Sequence, residues 1–454
     1  MELLDATRAV IDRTVTDETG AFSILGPQDA AFLRVTASID YAGSSLLVTT
    51  DALGQAPHAM EAELLGRTEG LDLLALEDHP SGPAGAFHIL DTLYRGILAV
   101  EAWTGEVLPP LYVFWGRGIT TSWSYYRGER PAGSNRFCLE LLGGEPGAQA
   151  TSDTDEHDES IILHEFGHFV MDRLSTDSSP GGMHPAGHLI DPGLAWEEGR
   201  ASFFASAVLG HPWYLDTIGL APQGSLRVAH NLERGANGPK GLGSEASVGE
   251  VLWDLADGTE DLPDDDGDPV ALGPAAVLRA MMALKQEEGA YPALSTLLQK
   301  LLQDRTVDEA SLRQLLVQGG HPTTLIQPDT QWPAPLELGV AVGSKIDGLT
   351  QPAPSGGPNR PENGYDAVHA YRVHVDRPGL LGVRLRIFGS GRVADRQDLD
   401  VELRDTRANH LASDRGEDPI ETVSRLVQPG HYVVYVRDGG NGNRVGYSLL
   451  VTLE

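Results

Sequence analysis

Two histidines four residues apart, His164 and His168, flank Glu165 within the apolar stretch Ser160-Ile161-Ile162-Leu163-His164-Glu165-Phe166-Gly167-His168-Phe169-Val170-Met171-Asp172. On an α-helix, residues four apart lie about 40° from each other around the axis and one turn along. A helix here therefore presents both imidazoles to one point. Ile161, Ile162, Phe169 and Val170 bury such a helix, while Asp158, Glu159 and Ser160 offer the cap and the first-turn acids that start it. Each buried imidazole needs a polar partner, and one shared metal ion satisfies both. Glu165 lies beside that point without ligating, where a general base must stand to take a proton from a water held at the metal.

Two histidines do not complete a zinc site, which needs a third protein ligand and an open position. In the metzincin pattern a third histidine would fall at 174, where Leu174 stands, and that class is excluded. Downstream, Leu194-Ala195-Trp196-Glu197-Glu198-Gly199-Arg200-Ala201-Ser202-Phe203-Phe204-Ala205-Ser206 forms a second helix with two carboxylates. Glu198 shares its face with Ala201, Ser202 and Ala205, small residues that let this helix approach the histidine helix. Glu197 shares its face with Arg200, Ala201 and Phe204, which suits a packed rim or an ion pair. Glu198 is the expected third ligand.

Over His164, Glu165, His168 and Glu198-Gly199-Arg200-Ala201, the chain resembles the gluzincin metallopeptidases of thermolysin and fungalysin type, in which H-E-x-x-H is followed by a helix bearing the ligand glutamate. The resemblance spans about residues 84 to 320. It implies a zinc metallopeptidase acting on polypeptide, with zinc on His164, His168 and Glu198 and with Glu165 as the base. One departure is Ser202, where such families often place an Asp that orients the first histidine; a hydroxyl orients without adding charge, which weakens metal affinity. The later segment Gly243-Ser244-Glu245-Ala246-Ser247-Val248-Gly249-Glu250-Val251-Leu252-Trp253-Asp254 resembles the helix that supplies a transition-state stabiliser in these families. Glu245 or Glu250 could face the cleft, although a carboxylate donates to an oxyanion only when protonated.

The fold class expected is a multi-domain chain: an α+β zincin-type metallopeptidase domain flanked by small all-β sandwich domains. The 454 residues predict two to four domains, and 53 Gly with 29 Pro suit an all-β part. Residues 1–78 read as a small sandwich, with a strand-turn-strand at Thr14 to Ile24 around Gly20 and strands at 31–39 and 45–50. They resemble the carboxypeptidase regulatory-like domains. The zinc metallopeptidase domain is expected at 79–320. It opens on an amphipathic helix bearing Phe87, Leu90, Leu93, Tyr94, Ile97 and Val100, and continues through strands at 111–115 and 137–142. Helices follow at about 159–174, 194–210, 246–257, 274–287, 291–304 and 307–318. The strand at 137–142 is expected to be the sheet edge along which extended substrate pairs. Residues 321–364, rich in Pro and Gly, read as a linker. Period-two runs make 365–454 an antiparallel sandwich. It resembles the bacterial pre-peptidase C-terminal domain over Asp398-Leu399-Asp400-Val401-Glu402-Leu403, Val427 to Val436 and Tyr447 to Val451.

The formal charge of −32 argues against nucleic acid as a partner, since phosphate contacts need clustered Lys and Arg. No stretch reaches the roughly 20 apolar residues of a membrane span. Cys138 is the only cysteine, so an intrachain disulfide is excluded and the residue reads as a small buried hydrophobe. The start, Met1-Glu2-Leu3-Leu4-Asp5, has no leader character, yet both accessory domain types accompany exported enzymes, so a secreted or cell-envelope location is expected. His184 and His188, in the loop at 178–188, read as solvated or substrate-facing. The acidic run Glu260 to Asp268 offers the crowded oxygens calcium prefers, without the closing Glu of an EF-hand. The rival reading is a non-catalytic or weakly catalytic zinc-binding protein whose β domains hold carbohydrate or protein; hydrolysis of a non-peptide amide also stays open.

Overall fold

The protein is described from a computed structural model. It covers residues 1–454 apart from 18, 28–29, 65–69, 77–82, 149, 177–178, 183, 185–186, 220–224, 236–237, 260–261, 263–266, 286–290, 328–331, 348–366, 389–397, 417 and 439–443. The described residues form several sheets with seven α-helices and divide into two compact units, Met1–Phe169 with Tyr214–Ala229, and Val170–Trp213 with His230–Glu454.

In the first unit, β1 (Glu2–Leu4), β2 (Val10–Arg13), β3 (Phe32–Thr36) and β6 (Ala59–Glu63) make a four-stranded sheet of order β2-β1-β3-β6. The intervening strands β4 (Ser38–Tyr41) and β5 (Ser44–Thr49) leave it. They join β7 (Leu111–Phe114), β8 (Tyr125–Glu129) and β9 (Phe137–Glu140) in a five-stranded sheet of order β4-β5-β7-β9-β8. Residues 1–78 are therefore not a separate sandwich. Leu46–Thr49 pairs in parallel with Leu111–Phe114 because both runs are apolar and buried, as a parallel interior strand requires. Asp17 and Ala21 close a turn with Gly20 at φ +80°, but no strand flanks it among the described residues.

The helix α1 (Pro83–Thr104) is the crossover between β5 and β7 and packs Ile89, Leu93, Ile97 and Val100 inward. A Cβ on Gly96 would stand 2.7 Å from the Phe166 ring, so glycine is what allows α1 to lie against the histidine helix α2 (Glu159–Leu174). In a second correction, β9 is interior, buried at all four residues between β7 and β8. The sheet edge is β8, whose pairing with β9 is antiparallel and broken by an irregularity between Tyr126 and Gly128. Cys138 lies in β9, where burial raises its thiol pKa and leaves it a packing group.

In the second unit, α3 (Pro192–Leu209), α4 (Glu245–Ala256), α5 (Pro274–Leu284), α6 (Leu294–Gln303) and α7 (Glu309–Gln318) precede a β-sandwich. The two-stranded ribbon that follows α3 in the chain, β10 (Trp213–Ile218) with β11 (Ser225–Asn231), belongs for the most part to the first unit. The sandwich uses β12 (Ala334–Leu336), β13 (Val342–Asp347), β14 (Val368–Val375), β15 (Gly379–Phe388), β16 (Leu399–Asp405), β17 (His410–Asp414), β18 (Ile420–Val427), β19 (Gly430–Asp438) and β20 (Arg444–Leu453). Its sheets have the orders β12-β14-β19-β16-β17 and β13-β20-β15-β18. Leu381, Val383, Leu385 and Ile387 of β15 point inward, alternating with outward Arg384 and Arg386.

The segment expected to be a linker supplies two of these strands, β12 and β13; its Pro/Gly-rich part at 351–361 lies outside the described residues. Tyr291, just ahead of α6, is buried with Val368, Ala370, Val433 and Tyr435 in one apolar cluster, and its hydroxyl bonds that of Tyr435. The sandwich thus shares this cluster with the residue that leads into α6.

Candidate metal centre

The first turn of α2 is tied to β10. Asp158 accepts hydrogen bonds from the backbone N–H and hydroxyl of Thr217, both at 2.8 Å, and Ser160 Oγ accepts one from Leu215 N at 3.2 Å. That register sets the ring of Tyr214 against His164, with centroids 5.6 Å apart. Leu163, Phe166, Val170 and Met171 are fully buried, and Phe169 packs on Phe137 of β9, which fixes the rotation of α2. With its apolar side committed, the helix turns His164 and His168 the same way. Their Nε2 atoms are 3.1 Å apart.

Glu165 is buried beside them, and its Oε2 accepts a 2.8 Å hydrogen bond from the backbone N–H of Tyr126 in β8. The expected edge strand is thus replaced by one that touches the expected base directly.

On α3, Asp191 is the N-cap, accepting from Gly193 N at 2.8 Å and Leu194 N at 3.2 Å, with Pro192 in the first turn. Gly199 lets α4 approach closely, since a Cβ there would stand 2.5 Å from Glu245 O and 2.4 Å from Val248 Cβ. The two adjacent carboxylates have separate settings. Glu197 and Arg200, both fully buried, form an ion pair, and Arg200 also donates to Thr176 O at 3.2 Å. Glu198 has a different partner, His184.

The two histidines of α2 suit zinc. Two nitrogens each 2.0–2.1 Å from one tetrahedral ion sit about 3.3 Å apart, close to the separation of the two Nε2 atoms. A zinc site of this kind takes one further protein ligand and leaves a fourth position open.

His184 lies in this neighbourhood, with Nε2 3.7 Å from Glu198 Oε2 and Nδ1 3.2 Å from Glu245 Oε2. Glu245 therefore pairs with a histidine that in turn faces Glu198, an arrangement that holds that carboxylate in place. Glu250 does not stand in a cleft. It is buried, with His230 Nε2 at 3.0 Å, Lys240 Nζ in contact and His321 Nε2 at 3.4 Å. Tyr126, His184 and Tyr214 are the residues that sequence reasoning did not assign to the site. Only His184 carried a signal, as a histidine in the loop between the two ligand helices. For the acidic run, 260–261 and 263–266 lie outside the described residues, and Asp268 accepts from Val270 N at 2.8 Å.

Residues 119–277 match the family described as the Mycolysin C-terminal domain, and the matched segment includes α2, α3 and α4. No curated protein matches the chain. Among solved structures, the pre-peptidase C-terminal domain of collagenase from Bacillus anthracis is 15% identical over 26% of this chain and 92% of that one, with a TM-score of 0.19. PliG, a periplasmic inhibitor of g-type lysozyme from Aeromonas hydrophila, is 13% identical over 26% and 97%, with a TM-score of 0.16. CBM35 from Paenibacillus barcinonensis is 12% identical over 25% and 93%, with a TM-score of 0.15. Among the described residues, no helix is long and apolar enough to cross a membrane.

Proposed function

We propose that the chain is a zinc-dependent peptidase of zincin type, with His164, His168 and Glu198 holding the ion and Glu165 acting as general base. The observation that carries this reading is the pair of imidazoles on one helix, with Nε2 atoms 3.1 Å apart, beside a buried carboxylate one residue from the first histidine. A bound zinc supplies a Lewis acid that polarises the scissile carbonyl and makes a water acidic.

The remaining work falls to the protein. The Tyr126 N–H holds one oxygen of Glu165, orienting the carboxylate to accept a proton from the attacking water and to deliver it to the leaving amine. Polypeptide in extended form pairs with the edge strand β8 by main-chain hydrogen bonds. Trp123, 57% exposed, and Tyr125, 38% exposed, offer apolar surface to its side chains. A secreted or cell-envelope location fits a peptidase with an attached β-sandwich.

The test is zinc stoichiometry together with casein cleavage, with and without chelator. One zinc per chain and chelator-sensitive cleavage support the reading. One zinc without cleavage turns the chain into a zinc-binding scaffold instead.

A further inference from the structure

The C-terminal sandwich carries a pair of histidines that the proposed peptidase chemistry does not use. β14 and β19 run antiparallel in one sheet, and His374 stands directly opposite His431 in their register. Val373 and Val375 of β14, with Val434 and Val436 of β19, belong to the core of the sandwich. The two-residue alternation of a strand therefore sends His374 and His431 together to the outer face. Their ring centroids are 4.6 Å apart, with the planes at 44°. That is closer than the 4.8 Å between His164 and His168, the pair proposed to hold zinc.

The backbone fixes this pair. Ala370, Val433 and Tyr435 of the same outer face are buried in one cluster with Tyr291, whereas His374, at the end of that run, is exposed and open to solvent. The turn into β19 is pinned by Tyr432, whose hydroxyl accepts from Gln428 N at 3.2 Å and donates to Gln428 O at 2.8 Å. Both rings thus stand on strand positions set before any ion arrives, so chelation orders little beyond the rings themselves. His369, the other histidine of β14, is engaged elsewhere, with Nδ1 2.5 Å from the Tyr447 hydroxyl.

We infer that His374 and His431 form a binding site on the C-terminal sandwich for a divalent late transition-metal ion, copper(II) in preference to the others. Both donors are imidazole nitrogens, which suit copper, nickel and zinc rather than the hard cations calcium and magnesium. With a metal–nitrogen bond of about 2.0–2.1 Å, an imidazole centroid lies about 3.2 Å from the ion. Two such rings are about 4.5 Å apart at the right angle of a tetragonal site and about 5.2 Å apart at the tetrahedral angle of zinc. The 4.6 Å of this pair matches the first, the geometry of copper(II) and nickel(II), and copper binds the more tightly of those two. Water completes the shell. The ion also joins β14 to β19 through side chains as well as through the ladder of the sheet.

The test is titration of the full-length protein, first saturated with zinc, with copper(II), followed by electron paramagnetic resonance, metal analysis and thermal melts. We expect one copper to bind without loss of zinc and to give a tetragonal spectrum split by two imidazole nitrogens. The melting temperature should rise with copper concentration, because the ion binds the folded strands. His374→Gln and His431→Gln should each weaken this copper at least about tenfold, the least that losing even an outer-shell partner costs a metal site, and should remove the melting shift at parental zinc content. His410→Gln, at an exposed histidine of β17, should keep both the spectrum and the shift. Copper that enters only as zinc leaves overturns the site, as does a spectrum with a single imidazole, or copper binding by His374→Gln and His431→Gln equal to that of the parent.

Discussion

The backbone N–H of Tyr126 and the carboxylate of Glu165 are 2.8 Å apart, so the sheet edge and the proposed general base are joined by one hydrogen bond. Glu165→Gln keeps an acceptor for that bond and removes only the basic carboxylate. Zinc content and melting temperature should stay near those of the parent. Turnover of a small peptide should fall by roughly 10²- to 10⁴-fold in kcat, the usual worth of general-base catalysis. Near-parental turnover by the Gln variant would remove Glu165 from the mechanism.

Glu197 and Glu198 are neighbours in sequence with different partners, so their alanine variants should fail differently. Glu198→Ala should lose zinc while the fold persists. Glu197→Ala should keep zinc but leave the fully buried Arg200 without its carboxylate, at a cost of about 3–5 kcal/mol. Metal analysis with denaturant unfolding separates the two, and zinc loss in Glu197→Ala with retention in Glu198→Ala would reverse the ligand assignment.

How much could be read from the residues depended on how local each signal was. The periodic apolar stretch and the acids at 158 and 159 placed a helix at 159–174, the span α2 occupies. Asp191-Pro192, a cap followed by a first-turn proline, starts α3 two residues before the expected 194. Phe137–Glu140 is apolar enough for either an edge or an interior strand. Which it is depends on β8, whose Gly128 interrupts the strand pattern and hides it. Ser44–Thr49 likewise looks like a strand of an N-terminal sandwich until Leu111–Phe114 is placed beside it. His184 reaches Glu198 through tertiary packing, which no spacing along the chain reports.

His321 gives a pH dependence with a definite sign. It is buried with Nε2 3.4 Å from Glu250, and burial lowers its pKa to about 4 against an ordinary 6.5, outweighing the pull of Glu250. Between those values the unfolded chain binds the proton and the folded chain does not. The stability tied to His321 is therefore whole above pH 6.5 and is lost as the pH falls through about 4, by at most about 3 kcal/mol. His321→Gln removes the titration, so its stability relative to the parent should improve as the pH is lowered from 7 to 4. A difference that stays constant across that range would assign the acid sensitivity to other groups.

The last prediction concerns whether the C-terminal sandwich can be removed. The Pro/Gly-rich composition of 321–364 reads as a linker, and on that reading alone residues 1 to about 320 hydrolyse peptide by themselves. The packing predicts otherwise, because Tyr291, 1% exposed, shares its cluster with Val368, Ala370, Val433 and Tyr435. Asp191, the fully buried cap of the helix bearing Glu198, has its carboxyl pKa raised by burial, and the charges of Arg437 and Arg404 oppose that rise. Truncation takes away both the apolar partners of Tyr291 and the cations facing Asp191. The fragment should therefore melt well below the full chain and hold zinc less tightly. Point changes in the full-length protein test the same coupling without cutting it. Tyr435→Phe loses one hydroxyl contact and should cost about 1 kcal/mol, whereas Tyr435→Ala opens the shared cluster and should cost about 3–5 kcal/mol. The expected result is one unfolding transition that moves down in Tyr435→Ala, with zinc retention and peptide cleavage falling together on heating. Two resolved transitions, of which only the one without zinc or activity moves, would mean that the sandwich folds as an independent module and that the shared cluster does not support α3.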